Sequence, residues 1–111
     1  MRTEIKQLAS SYYDEIIEIR RHIHQHPELS FHEHNTAAYV ARKLDEWQIP
    51  NKKGIADTGV LAFIESGKPG KKRIGLRADM DALPVQEENN VPYKSKYPKV
   101  MHACGHDVHT A

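Results

Sequence analysis

Apolar residues fall at Ile5, Leu8, Tyr12, Ile16, Ile19 and Ile23, three or four positions apart, with polar and charged residues between them. That spacing lines one face of an amphipathic α-helix. Pro27 disfavours a helical His26, so the helix is predicted to end there. Ser30-Phe31-His32-Glu33 has the spacing of a capping box and announces a second helix. Its apolar face is predicted to be Ala37, Val40, Ala41, Leu44 and Trp47, with Pro50 closing it.

Beyond Pro50 the period changes. Val60-Leu61-Ala62-Phe63-Ile64 is a short apolar run between Gly59 and the turn-rich Ser66-Gly67-Lys68-Pro69-Gly70. It reads as a buried strand followed by a hairpin loop, with Arg73 to Ala78 as its partner and Asp79 at the end. From Asp81 to His102 the chain is irregular and contains Pro84, Pro92 and Pro98. A structureless stretch of that length is either functional or lacks a partner element. The order of two helices, strands and a long loop leading to a helix start at Asp107 predicts part of an α/β layered domain. No internal repeat or low-complexity segment interrupts it.

Composition narrows the function without choosing it. The 111 residues are 39% hydrophobic and 28% charged, and 16 basic residues against 15 acidic ones leave a net charge of +1. This balance favours neither nucleic acid nor an anionic membrane as a partner. A single Cys excludes an internal disulfide and suits a reducing compartment. No apolar stretch follows the N-terminus and none is long enough to span a bilayer, so a cytoplasmic protein is expected.

The densest chemistry is at the C-terminal end, in His102-Ala103-Cys104-Gly105-His106-Asp107-Val108-His109. Thiolate and imidazole are ligands for zinc and its neighbours, and Gly105 permits a tight turn between Cys104 and His106. A buried Cys beside a surface His is the alternative reading. Asp107 is placed to cap the following helix. Asp79 and Asp81, at the predicted end of a strand, suit metal coordination, orientation of a His or proton transfer, or else a solvated turn. Of the earlier histidines, His22 and His26 share a helix face but have no acid or Cys beside them, so they read as structural or surface groups. Glu87 and Glu88 read as solvated loop carboxylates, and the lysines from Lys94 to Lys99 as solvated charge.

Three of these segments, in order, resemble one family. Arg20-Arg21-His22-Ile23-His24-Gln25-His26-Pro27-Glu28-Leu29-Ser30, with Glu33 and Thr36-Ala37, is similar to the first signature of the metal-dependent amidohydrolase branch of the aminoacylase-like metallopeptidases. That branch includes hippurate hydrolase, N-acyl-diaminopimelate deacetylase and the auxin-conjugate hydrolases. Gly75 to Pro84 resembles its second motif and Met101 to Ala111 its third. The resemblance implies a three-layer α/β/α metallopeptidase catalytic domain carrying two divalent ions, with zinc, manganese, nickel and cobalt all compatible. It matches Cys104 and His106 to metal-binding positions and Asp81 to the acid that orients the metal centre. Related branches carry a ligating His where this chain has Asp79, so the resemblance gives Asp79 no ligand role. The implied chemistry is hydrolysis of the amide bond of a small N-acyl amino acid or conjugate by activated water.

On this reading residues 1–111 are the N-terminal portion of a single, truncated catalytic domain. The general base, the remaining ligands and the lid or dimerisation domain of a homodimeric enzyme would lie outside it, and the chain alone is expected to be inactive. The alternative is a non-catalytic product acting at most as a weak metal-binding or interaction module.

Overall fold

The computed structural model describes residues 1–70 and 72–111. Helix α1 spans Arg2–Gln25 and α2 spans His34–Glu46; strands β1, Asn51–Ile55, and β2, Gly59–Ala62, follow, and a short α3 runs from His106 to Thr110. α1 opens at Met1, whose ammonium lies 2.8 Å from Glu4. It ends where His26 leaves helical geometry, one residue before Pro27, as the pre-proline restriction predicts. Only its last turns are covered. Ile19, Ile23 and His24 are buried, whereas Ile5, Leu8 and Tyr12 of the same stripe are more than half exposed.

α2 starts three residues later than a capping box at Ser30 would place it, and the Ser30 hydroxyl does not cap it. Phe31 takes a positive φ of 62°, which turns the chain before Glu33 becomes the N-cap residue. The Glu33 carboxylate points elsewhere, to the Thr58 hydroxyl at 2.8 Å. The cap comes from Glu28 instead: one oxygen accepts from the Asn35 amide at 3.1 Å, the other from the Thr36 amide at 2.7 Å. Ala37 and Ala41 carry the buried face of α2, while Trp47 is 43% exposed beyond its end.

The strand at Val60 is present, but its partner precedes it. β2 pairs antiparallel with β1, in the register Asn51 to Ala62, Lys52 to Leu61, Lys53 to Val60 and Ile55 to Gly59. The ladder shifts between Lys53 and Ile55, where Gly54 adopts a φ of 75°. An extra residue in the left-handed region is how a bulge is accommodated. Closing the short turn at Ala56, Asp57 and Thr58 costs less entropy than closing the longer loop to Arg73. Arg73 to Ala78 is accordingly not a strand, and Ile74 and Leu76 are 90% and 97% exposed. The β2 run is not buried either, since Leu61 and Phe63 are nearly half exposed.

The irregular stretch after Asp81 is closed at its base. The Ala82 amide donates to the Glu28 carbonyl at 2.7 Å, and Leu83 and Met101 exchange amide–carbonyl bonds of 2.9 and 3.0 Å. This pairing brings Asp81 beside the start of α3. The whole is open: the radius of gyration is 15.6 Å, against about 13 Å for a compact domain of this length. The accessible surface is 8863 Å², against about 6,200 Å² for a folded monomer of this mass. Among the described residues no helix is long and apolar enough to cross a membrane.

Candidate metal centre

α3 is delivered to its place by Gly105, whose φ of 85° suits glycine and lets the chain turn sharply into His106. The His106 ring then meets Asp81, with Nδ1 2.8 Å from the Asp81 Oδ1 and 3.1 Å from its carbonyl oxygen. Both partners accept, so Nδ1 carries a proton, and Nε2 is the nitrogen open to a metal. Nε2 is directed toward Asp79, 3.8 Å from Oδ2. His109, three residues further on the same helix, brings its ring centroid to 5.6 Å from that of His106. Asp79, His106 and His109 each offer one ligand atom, and these atoms lie within 4.8 Å of one another.

Asp79 is held from both sides. Its carbonyl accepts from the Thr110 hydroxyl at 2.8 Å, and Oδ1 lies 2.7 Å from the Arg77 guanidinium, leaving Oδ2 toward His106. Arg77 is 87% exposed in this pair, so the interaction orients more than it stabilises. Cys104 lies on the exposed turn before Gly105 and is not among the three residues whose ligand atoms converge. His106 and Asp81 are therefore brought together, while Asp79 and His109 join them on geometry alone. His22 and His26 form no such group. The His22 ring stacks on Tyr39 with centroids 4.0 Å apart, and His26 Nδ1 bonds the His22 carbonyl at 2.7 Å.

Behind this cluster lies a buried polar network. Asp107 does not cap α3; it sits inside the helix, fully buried, and its Oδ2 lies 2.9 Å from both the Arg20 Nε and the His24 Nδ1. The other ring nitrogen of His24, Nε2, is 3.1 Å from Glu87 Oε1. Glu87 is 2% exposed rather than solvated, and its second oxygen accepts from the Ser95 amide at 2.7 Å. Burial pushes the Glu87 carboxyl up, but the bonds from Ser95, His24 and Asn89 outweigh it and hold the group below its ordinary value. His102 is buried at 3% exposure with neither ring nitrogen bonded, and burial lowers its pKa against the opposing pull of Asp107. Arg20 and His24 share a helix face, a pairing open to sequence inspection. Their partners lie 63 to 87 positions away, where no local pattern reaches.

The profile of Peptidase family M20/M25/M40 matches residues 75–111. The chain is 50% identical over its full 111 residues to the Bacillus subtilis (strain 168) protein YhaA, named an amidohydrolase, and covers 28% of it. It is 47% identical to the N-acyl-L-amino acid amidohydrolase of Geobacillus stearothermophilus over 97% of this chain and 29% of that one. Among solved structures it resembles the Bacillus subtilis YXEP protein, described as a dinuclear metal-binding peptidase of the M20 family. The TM-score is 0.85 and the identity 45%, over 91% of this chain and 28% of that one. An aminohydrolase from methicillin-resistant Staphylococcus aureus gives a TM-score of 0.91 at 44% identity, over 99% and 29%. The chain thus spans little more than a quarter of the length of these relatives, and within that span it is similar in sequence and fold to M20 metallopeptidases and to proteins named as amidohydrolases.

Proposed function

We propose that residues 1–111 are a portion of a metallo-amidohydrolase catalytic domain that holds a divalent metal centre at His106, with Cys104, Asp79 and His109 as the further donors in reach. The observation that carries this reading is the Asp81–His106 bond of 2.8 Å. A carboxylate on one imidazole nitrogen fixes the tautomer and makes the other nitrogen the better ligand. The donor set of imidazoles, a carboxylate and a nearby thiolate suits zinc, manganese, nickel or cobalt. A bound divalent ion supplies Lewis-acid chemistry, polarising an amide carbonyl and easing deprotonation of water.

The chain's own residues orient this centre. Asp81 holds His106, Thr110 and Arg77 hold Asp79, and Gly105 sets the turn that leads from Cys104 into His106. The substrate class is a small N-acyl amino acid, a reading supported by the Geobacillus stearothermophilus relative. A pair of ions is supported by the dinuclear neighbour.

The test is calorimetric titration of the purified chain with zinc and cobalt, alongside His106→Ala. Binding by the parent and its loss in the variant is the expected result, and equal binding by both would defeat the reading. The 111-residue chain by itself is expected to hydrolyse N-acyl amino acids no faster than a metal-only blank. Glu87 is buried against His24, Asp81 holds His106 and Asp79 faces His106 as a metal donor, so among the described residues no carboxylate at the site is left over as a general base. Turnover above that blank would show that one of them serves as the base.

A further inference from the structure

Asp107 lies between His106 and His109 on a helix of only five residues, too short to hold its own geometry in water. Something outside α3 must fix it. Asp107 Oδ2 is gripped by α1, through Arg20 Nε and His24 Nδ1, each at 2.9 Å. The same His24 ring reaches Glu87 in the long loop through Nε2. The ring thus lies between two carboxylates and joins three segments at one point. The His24 side chain is 4% exposed, and those of Asp107 and Glu87 are 1% and 0% exposed. In such a site charge-assisted bonds are short and directional.

We propose that His24 is a positioning residue for the metal centre: its Nδ1 bond to Asp107 sets the placement of α3, and through it the approach of His106 to Asp81 and Asp79. The Nε2 bond to Glu87 anchors the loop and leaves α3 untouched. This role rests on the metal-centre reading above for its functional meaning, but the placement itself is measurable without metal.

Two substitutions separate the nitrogens. The amide nitrogen of Asn stands where Nδ1 stood, and that of Gln where Nε2 stood. His24→Asn therefore keeps a donor for Asp107 and loses Glu87, whereas His24→Gln keeps Glu87 and loses Asp107. Each variant removes one buried bond, so a merely structural role predicts similar consequences for both. The readout is the His106 Nδ1 proton in imidazole ¹H–¹⁵N spectra of the full chain. It is expected to be retained in His24→Asn and lost to exchange, at least tenfold faster, in His24→Gln, at comparable melting temperatures. Equal signals in the two variants, or signals that follow melting temperature alone, would overturn the proposal. So would failure of both to fold, since His24 would then serve the whole core. Cobalt titration of the same proteins isolates the underlying reading. If the unsubstituted chain binds no cobalt, the metal reading fails while the proton signals still decide the part played by His24. Cobalt bound about tenfold or more weakly by His24→Gln than by His24→Asn supports both.

Discussion

Thr36 gives its amide and its hydroxyl to the same oxygen of Glu28, at 2.7 and 2.8 Å. A residue eight positions away in sequence thereby caps a helix it does not belong to, while the other Glu28 oxygen takes the amide and side chain of Asn35. Glu28→Ala is expected to cost about 1–2 kcal/mol, the upper part of the range for a lost N-cap. Glu28→Gln should recover part of this, since its carbonyl oxygen still accepts. Urea unfolding of the three chains checks the order; equal stability would mean that the Glu28 carboxylate contributes nothing to α2.

Acidification should unfold the chain in two stages. Burial, then the charges on His26, Arg42, Lys96 and Lys43, hold His22 below its ordinary value of 6.5. Burial pushes Glu28 up, but its bonds to Thr36 and Asn35 prevail and hold it below 4.5, and Glu87 is held below 4.5 as well. In each case the unfolded chain takes up its proton at a higher pH than the folded one. Stability from all three is therefore complete above about pH 6.5 and falls as the pH drops, first as His22 becomes protonated in the unfolded chain, then more steeply below 4.5. Denaturant midpoints from pH 8 to pH 3 test this. A midpoint that rises between pH 7 and pH 5 would contradict the first stage.

Gly59→Ala should damage the hairpin specifically. A Cβ at Gly59 would come within 2.4 Å of the Ile55 carbonyl oxygen, a backbone atom that cannot swing aside. Overpacking of this kind costs about 1–3 kcal/mol. Amide exchange should quicken across Lys53 and Val60 and stay unchanged in α1. Unaltered exchange in β1 and β2 would show that the turn relaxes freely.

Asp81→Asn should weaken metal binding by about 10–100-fold, the usual effect of losing a carboxylate behind a ligating imidazole. Cys104→Ser gives the independent check on the thiolate: with cobalt bound, the sulfur charge-transfer band in the near ultraviolet should vanish. A band unchanged by Cys104→Ser would remove Cys104 from the donor set.

Local pattern located α1, most of α2 and the strand at Val60, because each depends on side-chain periodicity and on prolines whose steric effect reaches one residue. It missed β1, since Asn51-Lys52-Lys53-Gly54-Ile55 has no apolar alternation and becomes a strand only because Val60 and Leu61 fold back on it. It paired Val60 to Ile64 with the most apolar neighbour, Arg73 to Ala78, rather than the nearest in sequence. At the site, the motifs pointed to Cys104, His106 and Asp81; His106 and Asp81 are in contact, while Cys104 stands outside the converging group. The local reading took Glu87 for a solvated loop carboxylate and Asp107 for a cap, because buried polar pairs between distant segments leave no periodic trace. Asp79 was set aside by resemblance and stands in the converging group by geometry.

Association should increase with concentration. Ile74 and Leu76 are almost fully exposed in a segment outside helix and strand, and Ile5, Leu8 and Tyr12 are uncovered on α1. Extended backbone with free amides invites pairing. Light scattering should show oligomers at high concentration, reduced by Leu76→Lys. A strictly monomeric chain with a concentration-independent melt would show that these faces are adequately solvated.

The paired Leu83 and Met101 act as a clasp at the neck of a long excursion, with Asp81 on one side of the neck and Cys104 and His106 on the other. Lengthening a loop beyond such a clasp is thermodynamically mild, about 0.6 kcal/mol for each doubling. Exposed positions such as Glu88 and Asn90 at the outer end are therefore free to gain or lose residues while the neck keeps its spacing. The architecture separates what must be held from what is free to vary in length, so the outer end of the loop can be reshaped without disturbing the groups at its base.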